Sequence, residues 1–129
     1  MAFSDYLEDK LLKHTFANTA FTTPGTVYLG LFTAAPSDTG GGTEVSGGSY
    51  ARISCAFSVS GSNPTLCTNS SAAEFATATG TWGSVGWVGV YDASSSGNLL
   101  AWAALTASKT VSSGDVFRFD AGDLDITLS

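Results

Sequence analysis

Ala51-Arg52-Ile53-Ser54-Cys55-Ala56-Phe57-Ser58-Val59-Ser60 is the stretch that sets the fold class. Ile53, Cys55, Phe57 and Val59 fall on one side of an extended chain. Arg52, Ser54, Ala56 and Ser58 fall on the other. Apolar and polar residues alternating with period two describe a strand that buries one face and wets the other, as strands of antiparallel sheets do. Gly61-Ser62-Asn63-Pro64 follows as a turn.

Other strands frame this one. Thr26 to Thr33 places Val27, Leu29 and Leu31 on one face and Tyr28, Gly30 and Phe32 on the other. Both faces are apolar, which predicts a central strand. Thr23-Pro24-Gly25 launches it as a turn. Ala35 to Gly48 reads as a long loop, too glycine-rich to pack, and long loops often make functional contacts. The alternative is a solvated, mobile loop. A weaker strand is expected over Ser71 to Phe75. Leu99 to Leu105 predicts a strand with two apolar faces, and Val116 to Phe119 and Leu124 to Leu128 complete the set.

Residues 80–91 carry glycine at every third position, Gly80, Gly83, Gly86 and Gly89. A phosphate-binding loop would need a Lys-Ser/Thr ending and a following helix. This stretch instead runs into Val88, Val90 and Tyr91, which are strand formers. The glycines are expected to let a twisted or bulged strand pass close to bulky neighbours such as Trp82 and Trp87.

The N-terminal residues read differently. Ser4 is a candidate N-cap, Asp5, Glu8 and Asp9 fill the first turns, and Lys10, Lys13 and His14 come late. That order complements the helix dipole. Phe3, Leu7 and Leu11 form an apolar stripe that Tyr6, Leu12 and Phe16 widen. Such a helix must lie on something, either its own sheet or a neighbouring subunit. The whole predicts a mainly β protein of one domain. A short amphipathic helix over residues 1–16 precedes an antiparallel sandwich or barrel-like body over residues 17–129, with roughly seven strands separated by turn signals.

Composition narrows the function. Of the 129 residues, 43% are hydrophobic and only 12% charged, against about 25% charged in ordinary soluble domains. Polarity comes from Ser, Thr, Gly and Asn, which are less costly to desolvate than ions and suit protein contact. The net charge of -6 and five scattered basic residues exclude nucleic acid as a partner. No apolar run is long enough to span a membrane. The opening residues lack the basic and apolar regions of a signal peptide, so synthesis in a cytoplasm is expected.

Groups for chemistry are sparse. His14 is the lone histidine and sits at a helix end without a catalytic partner. The acids Glu44, Glu74, Asp92, Asp115, Asp120, Asp123 and Asp125 mostly occupy turns, where Asp bonds its own backbone. Asp120, Asp123 and Asp125 lack the EF-hand pattern for calcium, and Cys55, Cys67 and His14 lack zinc spacing. No cofactor or metal is expected, and no enzymatic activity. The cysteines read as two small buried apolar residues, or as a disulfide if the protein matures in an oxidising place. Asn69-Ser70-Ser71 fits a glycosylation sequon but has no secretion signal to give it meaning. The tryptophans suit a core or subunit interface better than a sugar-binding platform.

Several longer stretches carry a resemblance: Met1 to Leu12, Val27 to Asp38, Gly40 to Arg52, Phe75 to Gly83, Asn98 to Trp102 and Leu105 to Asp115. Together they resemble a family of small phage and prophage virion proteins usually labelled "phage tail fiber protein". The resemblance covers nearly the whole chain, the segment from Cys55 to Cys67 being less typical of it. It implies a place in the virion and no catalytic residues.

A fibre shaft announces itself by repeats, and this chain has none. The first expectation is therefore a capsid decoration, or cement, subunit that contacts its own copies and the major capsid protein. The second is a tail-fibre or tail-adaptor component that contacts other tail proteins. A carbohydrate-binding module or enzyme comes third. Candidate partner contacts are Phe3, Leu7 and Leu11 on the helix, and Asp38, Gly41 and Glu44 in the glycine-rich loop.

Overall fold

The structure, a computed structural model, describes residues 1–128. In chain order it holds β1 (Ala2–Phe3), α1 (Asp5–Phe16), β2 (Val27–Ala34), β3 (Thr43–Glu44), β4 (Ile53–Cys55), β5 (Phe57–Ser60), β6 (Thr65–Asn69), β7 (Ala73–Glu74), β8 (Gly83–Tyr91), β9 (Leu99–Val111), β10 (Arg118–Phe119) and β11 (Asp125–Leu128). Every pairing is antiparallel. The large sheet runs β1-β9-β8-β2-β3, with β4 sharing the β2 edge, and smaller sheets β11-β6-β5 and β10-β7 lie apart from it. The arrangement is sandwich-like. The barrel-like alternative does not hold, because no strand pairing among the described residues closes the large sheet on itself.

The two apolar faces of β2 have separate uses. Leu29 and Leu31 join Val88, Val90 and Ala101 in the main core, against Phe75, Phe117, Phe119 and Leu124 from the other layer. Phe32 packs with Tyr91 and Leu99 on the opposite face, flanked by Trp87 and Trp102. Gly30 pairs directly with Gly89 in the middle of that second face. A Cβ on Gly89 would stand 2.9 Å from both Phe32 and Leu99, so the glycine makes room for the aromatic cluster, as its spacing predicted.

The stretch that sets the fold class is not one strand. It breaks at Ala56, where β4 leaves β2 and β5 takes up pairing with β6. The carbonyl of Ala56 accepts from the Ser70 amide at 3.0 Å, outside either ladder. Alternation survives the break, but the cover does not. Val59 is 68% exposed, because β5 has left the large sheet. The expected turn at 61–64 is followed at once by β6, and the expected strand at 71–75 shrinks to β7. β9 runs on from Leu105 to Val111.

The helix starts as its sequence predicts. The Ser4 hydroxyl accepts from the Leu7 amide at 3.2 Å and itself donates to the Leu99 carbonyl. One buried side chain thus caps α1 and anchors it to β9.

Candidate interaction surface

None of the α1 residues is buried. Leu7 rests partly on the core, beside Phe3 and Tyr6. Leu11 is half-buried, whereas Leu12 is 59% and Phe16 81% exposed. Leu12 and Phe16 lie four residues apart and share one face. The domain's own sheet therefore receives only the first half of the stripe. Together Leu12 and Phe16 leave an apolar face at the end of α1 open to solvent. Phe3 and Leu7 also line an apolar recess of about 310 Å³ between the layers, with Val27, Phe57, Cys67 and Ile126.

The glycine-rich loop is not the loose arm its composition predicts. β3 pairs with β2, Val45 is buried, and Ser37 and Gly40 form a two-way bridge. The Gly48 carbonyl accepts from the Trp82 indole at 2.9 Å. The backbone of the Asp38 carbonyl takes the Asp5 amide at 2.9 Å, and its carboxylate takes the Trp102 indole at 3.0 Å. Asp38 thus joins loop, helix and sheet. Gly41 is exposed at φ +79, with open space around it. It lies with Asp38, Asp5, Arg52 and Asn98 around a cleft of about 480 Å³.

Glu44 faces inward. Its carboxylate meets Arg52 twice, Oε1 to Nη2 at 2.8 Å and Oε2 to Nε at 2.9 Å, and accepts from the Tyr50 hydroxyl at 2.7 Å. Arg52 donates further to the carbonyls of Ala93 and Ser96 and stacks on the Tyr91 ring at 3.5 Å. Burial pulls the guanidinium down, but the hydrogen bonds and charge of Glu44 outweigh it and hold its pKa above the ordinary value. Burial, then the Glu44 hydrogen bond, pushes the Tyr50 phenol far up, and burial with the Glu44 charge raises Tyr91. The carboxylate is occupied by its own chain, which leaves Glu44 a poor partner contact. The sequence shows Glu44, Tyr50 and Arg52 close together, but nothing in their spacing announces a shared site.

Three of the other acids hold turns, while Glu74 and Asp120 pair with Arg118. Asp92 takes the amide and side chain of Asn98, Asp115 the Ser112 amide, and Asp123 the Asp120 amide. Among the described residues, no three metal-ligating side chains cluster. His14 accepts from the Phe21 amide at 3.1 Å. Trp82 is buried, and Trp87 and Trp102 lean on the Phe32 cluster.

The model of the family described as podophage GP4 fiber I protein gp80 matches residues 2–127. The chain belongs to this family. Membership makes it one of a phage tail-fiber type family, in agreement with the resemblance in its sequence, and places it among virion structural proteins. No curated protein matches the chain.

Within this fiber-family chain, Cys55 and Cys67 are free thiols. Cys67 stands opposite Val59, while Cys55 stands opposite Val27 in the other sheet. Burial raises both pKa values, that of Cys55 with help from Cys67. Asn69, read earlier only as a sequon residue, is 1% exposed. Its amide donates to the carbonyls of Ser71 and Asp120 and accepts from the Leu124 amide. It fixes the 120–124 turn on β6, with no atom free for a glycan. No described helix is long and apolar enough to cross a membrane.

Proposed function

We propose that this chain is a non-enzymatic structural subunit of a phage tail fibre, working through contact with other tail proteins and with its own copies. The family match over residues 2–127 carries the reading. It favours the fibre over the capsid decoration role that the compact, repeat-free sequence first brought forward. The exposed pair Leu12 and Phe16 supports a contact role for α1. Of the acids, Glu44 is engaged in the Arg52 network, and Asp115 and Asp123 hold turns. The chain is assembled in the host cytoplasm and carried in the virion.

The test is to dissociate purified virions, separate heads from tails by sedimentation, and quantify the chain by mass spectrometry. Recovery with tails is expected. Recovery with heads would make it a decoration subunit and overturn the fibre assignment.

A further inference from the structure

Tyr91 lines the cleft that Asp5, Asp38 and Asn98 share. Its ring is tightly held. Arg52 stacks on it at 3.5 Å, and a Cβ on either Gly30 or Gly89 would stand 3.4 Å from its Cε2. A tyrosine this buried ordinarily finds a partner for its hydroxyl. Tyr91 is 9% exposed, yet its hydroxyl has no hydrogen-bond partner among the described residues. That oxygen is not sealed in either, because among the described residues the one sealed side-chain polar atom without a partner is Thr68 Oγ1. The phenol therefore opens into the cleft that it lines.

Further oxygens at the cleft are open. Asp38 gives one carboxylate oxygen to the Trp102 indole and keeps the other. Asn98 spends its side-chain nitrogen on Asp92 and keeps its carbonyl oxygen. Of Asp5 only the backbone is engaged, so its carboxylate is unpaired among the described residues. The positive groups nearby are already answered. Four of the five Arg52 N–H groups go to Glu44, Ala93 and Ser96. At the start of α1, the Asp5 amide goes to Asp38 and the Leu7 amide to Ser4. What remains is rich in acceptors and negative, and Leu99 adds an apolar wall. No lysine of the chain lines it.

We infer that this cleft takes a lysine side chain from another protein of the particle, with its ammonium on Tyr91, Asp5 and Asp38 and its stem along Leu99. An ammonium has three rotatable donors and no acceptor, which matches a site of scattered acceptors. A guanidinium fork prefers two parallel oxygens, and Asp38 has only one to give. The mixed lining suits a side chain with an apolar stem and a charged head. Charge favours a different protein over a second copy. The chain carries a net charge of -6. Of its lysines, Lys10 lies over the Tyr6 ring and Lys13 pairs with Asp9, which leaves Lys109. The choice of partner rests on the structural-subunit reading of the chain, whereas the chemistry of the cleft does not.

Two measurements test it. The first titrates the full, isotope-labelled chain with Nα-acetyl-lysine methylamide and follows the Trp102 indole N–H, which donates to Asp38. A saturable shift is expected, and none with the same probe acetylated at Nζ. Tyr91→Phe keeps the ring and removes the hydroxyl, and Asp5→Asn removes a charge. Each is expected to raise the dissociation constant roughly threefold or more. If the phenylalanine variant does not fold, the asparagine variant decides. A shift that does not saturate, equal binding of the acetylated probe, or a constant unmoved in the folded variants overturns the inference. The second couples carboxylates to amines in purified virions with a carbodiimide and maps the products by mass spectrometry. An amide from Asp5 or Asp38 to a lysine of another virion protein is expected. An amide to Lys109 of a second copy, or none with the chain present, overturns the assignment of the partner. A chain missing from the particles would instead fail the structural-subunit reading, and the titration would still decide the cleft.

Discussion

The guanidinium of Arg52 and the carboxylate of Glu44 meet at two points, 2.8 and 2.9 Å apart, with the Arg52 side chain only 8% exposed. The pair clamps the glycine-rich loop over β2, beside Gly30, where an added Cβ would sit 2.9 Å from the Glu44 carboxylate. A flexible composition is thereby turned into a fixed surface.

Glu44→Gln leaves the buried Arg52 charge without its counter-ion. Losing one partner of a buried pair costs about 3 kcal/mol or more. Urea denaturation should show a lowered midpoint of that size. A midpoint equal to that of wild type would mean that the loop is held by other contacts.

Stability should fall at alkaline pH. Burial raises Tyr50 and Tyr91, with Glu44 adding to both, and burial raises Cys55 and Cys67. A group whose pKa rises on folding contributes fully below its unfolded pKa and loses that contribution as pH climbs through the folded one. The thiols therefore begin the decline above about pH 9, and the tyrosines add to it above about pH 10, each by at most ~1.4 kcal/mol per pH unit. Melting temperatures measured from pH 7 to 11 check this, and Tyr50→Phe should make the alkaline fall shallower.

Asn69→Ala removes three side-chain hydrogen bonds from a site that is 1% exposed. The expected loss is about 2–4 kcal/mol, since the Ser71 carbonyl and the Leu124 amide lose their partner and the Asp120 carbonyl keeps only the Asp123 amide. Asn69→Asp should not restore stability, because a carboxylate cannot donate to two carbonyls. Thermal unfolding of the two variants reads this directly.

Much of the fold was legible because it follows local patterns. The Ser4 cap, the two-faced β2 and the glycine spacing of β8 each arise from a short window of sequence. The break at Ala56 was not legible, because alternation continues through it and only the partner strand changes. β6 was hidden behind Pro64 and the turn, although Thr65, Leu66 and Cys67 are ordinary strand formers. Of the candidate contacts, Phe3, Leu7, Leu11, Asp38 and Gly41 fall around the helix and the adjoining cleft. Glu44 turns inward because its partner, Arg52, is reached only by a fold in the loop. The exposure of Phe16 depends on where the sheet ends beneath the helix, which no window of sequence contains.

Phe16→Ser with Leu12→Ser should leave folding stability within about 0.5 kcal/mol, as for other exposed positions. Incorporation into particles should drop when the doubly substituted gene complements a phage lacking its own copy. Normal incorporation would show that α1 is not the contact with the virion.

Immunogold electron microscopy of intact virions, with antibody raised against this chain, tests the central claim most directly. Gold confined to tails and their appendages is the predicted result. Gold spread over the heads, or absent from intact and disrupted particles alike, would contradict it.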